Sequence, residues 1–437
     1  MRKNIILSSL KKFLILFFSV FFSSLAISSI GASAEEISSS ILPKDESTLI
    51  KRKNIFIIKK RIEKRETKGI VLGNYVLSPS VFLTEYYDDN IYATNTGTRD
   101  DLITVITPTL NLKSNWEKHA IELDAGLEIT RHADLATENT NNAWLNMKGK
   151  YVLNKKHNLF VGLDYIRDHE DRTSPDAEAG YEPTKFYDTS ANVGYTGHKG
   201  NNYFSLVYKN TNLDFYDVNS LSGIIDNDDR DRNDNAVGLR YLYKYSPSGA
   251  LFIKAVLDKR DYVQTLDNEG NDRVSDGYRY SAGLELVGEN TVSKIFIGSL
   301  NRDYQSSVFE DAKEFDFGLQ HNWKFLSSSS LAIKVSRSIE ETTLNGSPGY
   351  LMTDGSMYLS FSLASNKILS FETMLSTAEY YSNSRKDDYF DYGVGYSQKI
   401  LNNLQFSINL HRGERDSNIT GQDYKINQVF LHINAAI

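Results

Sequence analysis

Cysteine is missing from all 437 residues, and proline occurs only 7 times. Without thiols there is neither a disulfide scaffold nor a thiolate metal site. Long apolar runs are also lacking beyond residue 34. The mean hydropathy is −0.41, and the polar residues in every later window exclude a bundle of membrane helices. Positive charge is the scarcer sign: 49 Lys plus Arg stand against 56 Asp plus Glu, and 49 − 56 = −7. Aromatic residues, by contrast, are abundant, with 27 Tyr, 22 Phe and 3 Trp. Together with regularly spaced Ile, Leu and Val they exclude a chain disordered throughout. A large, Tyr-rich, proline-poor β protein remains.

The one long apolar run lies at the start. Arg2, Lys3, Lys11 and Lys12 precede an apolar stretch from Phe13 to Ile30, and Ala32-Ser33-Ala34 stands before Glu35. A basic start, an apolar middle and small residues at a cleavage point read as a secretory signal peptide over 1–34. Its four basic residues leave an exported chain of 45 − 56 = −11. Residues 35–70 hold ten basic and six acidic residues, including Lys51-Arg52-Lys53 and Lys59-Lys60-Arg61. They read as a basic periplasmic arm, and an exported arm meets no nucleic acid. The body, 71–437, is left with 35 − 50 = −15, a composition shift that marks a domain boundary near Gly69.

Within the body, Ile121-Glu122-Leu123-Asp124-Ala125-Gly126-Leu127-Glu128-Ile129 alternates apolar with charged or Gly residues. On a strand those sets face opposite sides, one toward an apolar medium and one toward water. Eighteen such segments are predicted, at about 75–88, 101–113, 118–131, 141–153, 158–168, 185–196, 202–213, 232–245 and 250–262. They continue at about 276–287, 293–304, 313–325, 330–341, 351–363, 368–380, 387–398, 403–414 and 423–435. Connections alternate between short ones, such as 154–157 and 246–249, and long polar ones, such as 169–184 and 214–231. An even strand number with long loops at one end only is the pattern of a transmembrane antiparallel up-and-down β-barrel of the outer membrane. A soluble sandwich has no reason to segregate its loops. Trp116, Trp144, Trp323, Tyr165, Tyr241, Tyr245, Phe325, Tyr380 and Tyr396 fall near predicted strand ends, where headgroup-level aromatic girdles belong.

The segment Pro79 to Tyr92, PSVFLTEYYDDNIY, followed by Asp100-Asp101, Thr107-Pro108 and Trp116-Glu117-Lys118-His119, resembles the start of the putative β-barrel porin 2 family. A second block, Arg167 to Pro175 with Glu182-Pro183-Thr184, looks like the following family segment. The matching positions include Pro79, Tyr86, Asp89, Asn90, Asp101, Pro108, Trp116, Arg172 and Pro183. The resemblance implies an outer-membrane location in a Gram-negative bacterium and a link to exopolysaccharide or capsule production, with polysaccharide export proteins as partners. Lipid, lipopolysaccharide and the barrel-assembly machinery are expected partners of any such barrel. One departure concerns the last residue, Ile437, where these barrels usually carry an aromatic. The alternation of the last strand is intact, so Ile437→Phe is expected to keep or improve outer-membrane yield; a collapse in yield would contradict that.

An 18-stranded barrel is wide enough for an aqueous channel. The facing pattern puts Glu122, Asp124, Glu128, Asp164, Glu285, Asp316 and Glu372 on its lumen wall. Arg240, Lys244, Lys254, Lys324 and Lys334 join them there. With both signs present, the wall predicts weak ion selectivity. Asp226, Asp228, Asp229 and Asp231 form a Ca²⁺ candidate that lacks the Gly and Glu of an EF-hand loop, and a solvated external loop explains them as well. No cofactor is implied. Gly-x-Ser-x-Gly, His-Glu-x-x-His and a Gly-rich phosphate loop are absent, so the expected function is not enzymatic. The chain reads as a porin-like channel for polar solutes or an exported polysaccharide. A non-conducting structural or surface-binding barrel and a membrane-embedded hydrolase are the alternatives.

Overall fold

A computed structural model describes residues 69–326, 329–342 and 344–437. The expected leader, 1–34, and the arm up to residue 68 lie outside the described residues. The chain builds β1 (Ile70–Leu72), β2 (Tyr75–Asp88), β3 (Asp101–Ser114), β4 (Ala120–His132), β5 (Thr140–Asn154), β6 (His157–His169) and β7 (Lys185–Lys199). Next come β8 (Asn202–Phe215), the short β9 (Val218–Ser220) and β10 (Gly223–Ile225), β11 (Arg232–Ser246), β12 (Gly249–Tyr262), β13 (Ser275–Val287) and β14 (Thr291–Tyr304). The last seven are β15 (Ala312–Leu326), β16 (Ser329–Glu340), β17 (Tyr350–Ala364), β18 (Lys367–Tyr380), β19 (Lys386–Leu401), β20 (Leu404–Ser417) and β21 (Tyr424–Ala436).

Eighteen of these strands pair antiparallel in sequence order, and β2 closes the barrel by bonding β3 on one edge and β21 on the other. Each of the eighteen segments expected from the period of two appears, most extended by one to three residues at an end. The closing seam has a device of its own. β21 covers β2 from Asp88 to Ser80, and β1 folds back to cover Leu77 to Tyr75. Pro79 sits where the partner changes, its carbonyl accepting the Ile437 N–H at 3.1 Å. The N–H that proline lacks falls on that same edge, where its loss costs least.

Loop lengths separate the two ends. Turns at 155–156, 200–201, 247–248, 365–366 and 402–403 alternate with loops at 89–100, 170–184, 216–231 and 263–274. By the rule for such barrels, the long loops lie outside the cell. The outward faces carry exposed apolar rows, such as Leu159, Val161, Leu163 and Tyr165 on β6. Two residues expected at the membrane rim face inward instead. Trp144 shares its strand parity with Asn142 and Asn146; its indole N–H donates to Asp124 at 2.8 Å and its ring covers Gly126, where any Cβ would collide. Tyr380 is buried against Tyr350, with ring centroids 4.9 Å apart.

Candidate functional site

The ladder between β15 and β16 runs from Leu326↔Ser329 to Leu319↔Val335 and stops there. β16 and β17 stay paired to Glu340↔Tyr350, so the end of this hairpin leaves the wall as a unit. It turns into the barrel. Ile339 and Leu351, which continue the outward parity of the hairpin, are buried against Ala312 of β15, with Leu300 of β14 and Tyr381 beside them. Arg260 of β12 donates to the Ile339 carbonyl at 3.1 Å, and Arg279 of β13 donates to the Arg337 carbonyl at 3.3 Å. Those partners sit four and three strands away round the wall, a reach made from inside.

At the tip of the hairpin, Glu341 is the anchor. It binds the guanidinium of Arg260 and the hydroxyl of Tyr262, and lies 3.7 Å from Arg273. Arg273 also donates to the Thr342 carbonyl at 2.6 Å, while the Thr342 hydroxyl donates to Asp176 of the 170–184 loop at 2.6 Å. Burial alone would raise the Glu341 carboxyl. The positive charges of Arg260, Arg232, Arg273 and Arg302 outweigh it and hold the group at about 2. The space left beside the tip, lined in part by Glu170, Phe215, Arg230 and Tyr350, is about 50 Å³, enough for a water or two. The hairpin therefore narrows the lumen at its long-loop end.

A second set of contacts fixes the neighbouring loops, and the family-like residues supply most of it. Asn90, 1% exposed, donates its amide to the carbonyls of Thr94 and Lys425 at 2.8 and 3.0 Å. Asp89 accepts the backbone and side-chain N–H of Asn427 at 2.7 and 2.6 Å. Asp101 accepts the backbone N–H groups of Asp134 and Leu135. Tyr86 stacks on Phe430 at 4.7 Å, and Ile91 packs into the same buried cluster. Arg172 grips Glu138 through Nε and Nη2 at 3.0 and 2.8 Å and lies over Tyr92. Pro183 lines the adjoining small cavity. Trp116 meets Tyr75 edge-on at the opposite end, and Pro108 falls where the β3–β4 ladder is interrupted. Three loops are thus latched to the wall and to one another.

The twelve residues assigned to the lumen wall share the strand face that lacks the exposed apolar rows, and most are paired. Arg240 meets Glu285 at 2.5 Å and Asp316 meets Arg279 at 2.7 Å, the Asp316 carboxylate being fully buried. Glu122 pairs with Lys113, Glu128 accepts from Asn142, Asp164 accepts from Ser190, and Asp124 accepts from Trp144. Lys244 lies over Tyr203, and Lys254 is half-buried on the same face. Glu372 is half-buried beside Gly393, while Lys324 and Lys334 are exposed. The acidic loop is arranged differently from the expected set. Asp226 and Asp228 gather with Asp217 on the surface. Asp229 instead accepts the Asn268 N–H at 3.1 Å and Asp231 the Phe215 N–H at 2.7 Å.

Burial lifts the Asp231 carboxyl to about 6 despite that hydrogen bond, with Asp214 and Asp228 adding to the rise. A raised carboxyl stabilises the folded loop while protonated, and that contribution fades as pH rises from the ordinary carboxylate value through about 6. Loop 216–231 is therefore expected to be cut faster by a protease at about pH 7.5 than at about pH 5.5, after correction for the protease's own pH profile. Equal corrected rates, or faster cutting at the lower pH, would refute the assignment.

A family model described as Putative beta-barrel porin 2 matches residues 65–437. Among solved structures, the outer membrane protein OpdK of Pseudomonas aeruginosa aligns at 8% identity and TM-score 0.45 over 83% of this chain and 99% of its own. OpdO of the same species aligns at 14% identity and TM-score 0.46, covering 84% and 98%. OccAB4 of Acinetobacter baumannii aligns at 11% identity and TM-score 0.46, covering 83% and 98%. No curated protein matches the chain.

Proposed function

Because the chain belongs to the Putative beta-barrel porin 2 family, we propose that it is an outer-membrane channel for small polar solutes, narrowed by the inward tip of the β16–β17 hairpin. The observation that carries this reading is the anchoring of Glu341 inside the lumen by arginines from several strands and loops. A barrel meant only as a wall needs no such device, and an element folded into the lumen sets the size and charge of what passes. Paired charges of both signs around the tip suit hydrated, uncharged or zwitterionic solutes. Passage of a polymer would require the tip to swing out of the lumen, so the firm anchoring favours small molecules.

Purified protein in a planar bilayer tests the reading, together with uptake of a neutral disaccharide by liposomes that contain it. Stepwise conductance and disaccharide uptake are expected. A folded barrel that neither conducts nor admits the sugar would point to a structural or surface-binding role.

A further inference from the structure

Turning the hairpin inward leaves a break in the wall. β15 is bonded to β14 as far as Ala312, but toward β16 its ladder ends at Leu319. Residues 312–318 thus have a strand neighbour on one side only. In hydrocarbon an unsatisfied backbone group costs several kcal/mol, so a break of this kind needs a substitute partner. Arg337 provides one. Its guanidinium donates to the Phe315 carbonyl, and its Nε donates to the Thr353 hydroxyl at 3.1 Å. The same group lies over the Phe317 ring at 5.5 Å and reaches Glu314 at 3.5 Å.

Arg337 holds the outward parity of β16, where Leu331, Ile333 and Val335 precede it. It lies past the last β15–β16 pair, and with only 14% of its side chain exposed its charge sits in the break and not in lipid. Apolar surface also runs through the break. Phe315 is 59% exposed outside, while Ile339, Leu351 and Leu300 form a buried apolar patch directly behind.

We infer that the seam between β15 and β16 is a lateral portal, bolted by Arg337, through which an amphipathic acid passes between the lumen and the outer leaflet. Its apolar chain follows the patch from Phe315 to Ile339, and its carboxylate takes the place of Glu314 on the guanidinium. This path is separate from axial conductance, so either can fail without the other.

Hexadecanoic acid bearing a diazirine on its chain, irradiated with the full protein in liposomes, tests the portal. In the wild type, label is expected on the inner residues Ile339, Leu351 or Leu300, and an excess of unlabelled acid should remove it. The chain has no cysteine, so Glu314→Cys with Arg337→Cys can be joined unambiguously by a short bis-maleimide. Joining should abolish the inner label while leaving label on Phe315 and leaving disaccharide uptake intact; the unjoined pair, open but without the guanidinium, should keep an inner label. If that pair fails to give the heat-sensitive gel shift of a folded barrel, Arg337→Lys replaces it and should raise the inner label. Label confined to outward residues in the wild type, or inner label indifferent to joining and to Arg337→Lys, would overturn the portal.

Discussion

Replacing Glu341 with Gln is expected to raise single-channel conductance several-fold while the barrel stays folded. The side chain keeps its shape, but the charge that offsets Arg260, Arg232, Arg273 and Arg302 is gone. Removing one partner of a buried ion pair costs about 3–5 kcal/mol, because the remaining charges are left without compensation. That cost falls on the hairpin tip. The other tethers, Arg260 to the Ile339 carbonyl and Arg273 to the Thr342 carbonyl, use the same arginines. They should loosen together. Below Val335 the wall is still held by the β15–β16 ladder, so folding itself should survive.

The pH dependence follows from the same group. A carboxyl held at about 2 contributes stability that is fully present above its ordinary value of 4.5 and is lost as pH falls through about 2. Wild-type conductance should therefore be insensitive to this group from about pH 5 to about pH 8 and should approach that of the variant only near pH 2. Planar-bilayer recordings check both points. An unchanged conductance in a Glu341→Gln protein that passes the gel-shift test for folding would show that the tip does not narrow the pore.

How much of this was legible in the sequence depends on whether the signal is local. Strand positions were, because apolar and polar residues alternate along each segment and one face meets lipid. The strands run past their expected ends, as at Lys199 and Leu401, because ladder pairing continues into polar residues that periodicity alone assigns to loops. The rim assignment of Trp144 and Tyr380 rested on nearness to a strand end, whereas parity decides the face; Trp144 alternates with the outward Leu145. The inward hairpin left one local trace, Arg337 in the parity of the apolar Leu331, Ile333 and Val335. Glu341 left none. Its partners come from positions 232, 260, 273 and 302, and only closure of the barrel brings them together. The acidic loop misled for a related reason, since Asp229 and Asp231 turn to backbone N–H groups from Asn268 and Phe215.

The loop latch yields the second large effect. Arg172→Met is expected to make loop 170–184 sensitive to protease within minutes while the barrel keeps its gel shift. Arg172 and Glu138 are both nearly buried, at 9% and 3% side-chain exposure, and joined by two hydrogen bonds. The guanidinium also serves the carbonyls of Glu178 and Gly180 at 3.1 and 3.0 Å and covers the Tyr92 ring. Met preserves much of the bulk but leaves Glu138 charged, buried and without its partner, a loss of about 3–5 kcal/mol. Because loops 89–100, 133–139 and 170–184 meet at this one side chain, the loss unlatches loops and spares the ladder. The double variant Arg172→Met with Glu138→Met removes the stranded charge as well, and replacing both members of a buried pair by apolar groups is often neutral. Its loop should be cut more slowly than that of the single variant, though the Glu178 and Gly180 carbonyls still lack their donor. Equal cleavage of the single and double variants would mean that the carbonyl contacts, and not the ion pair, hold the loop shut.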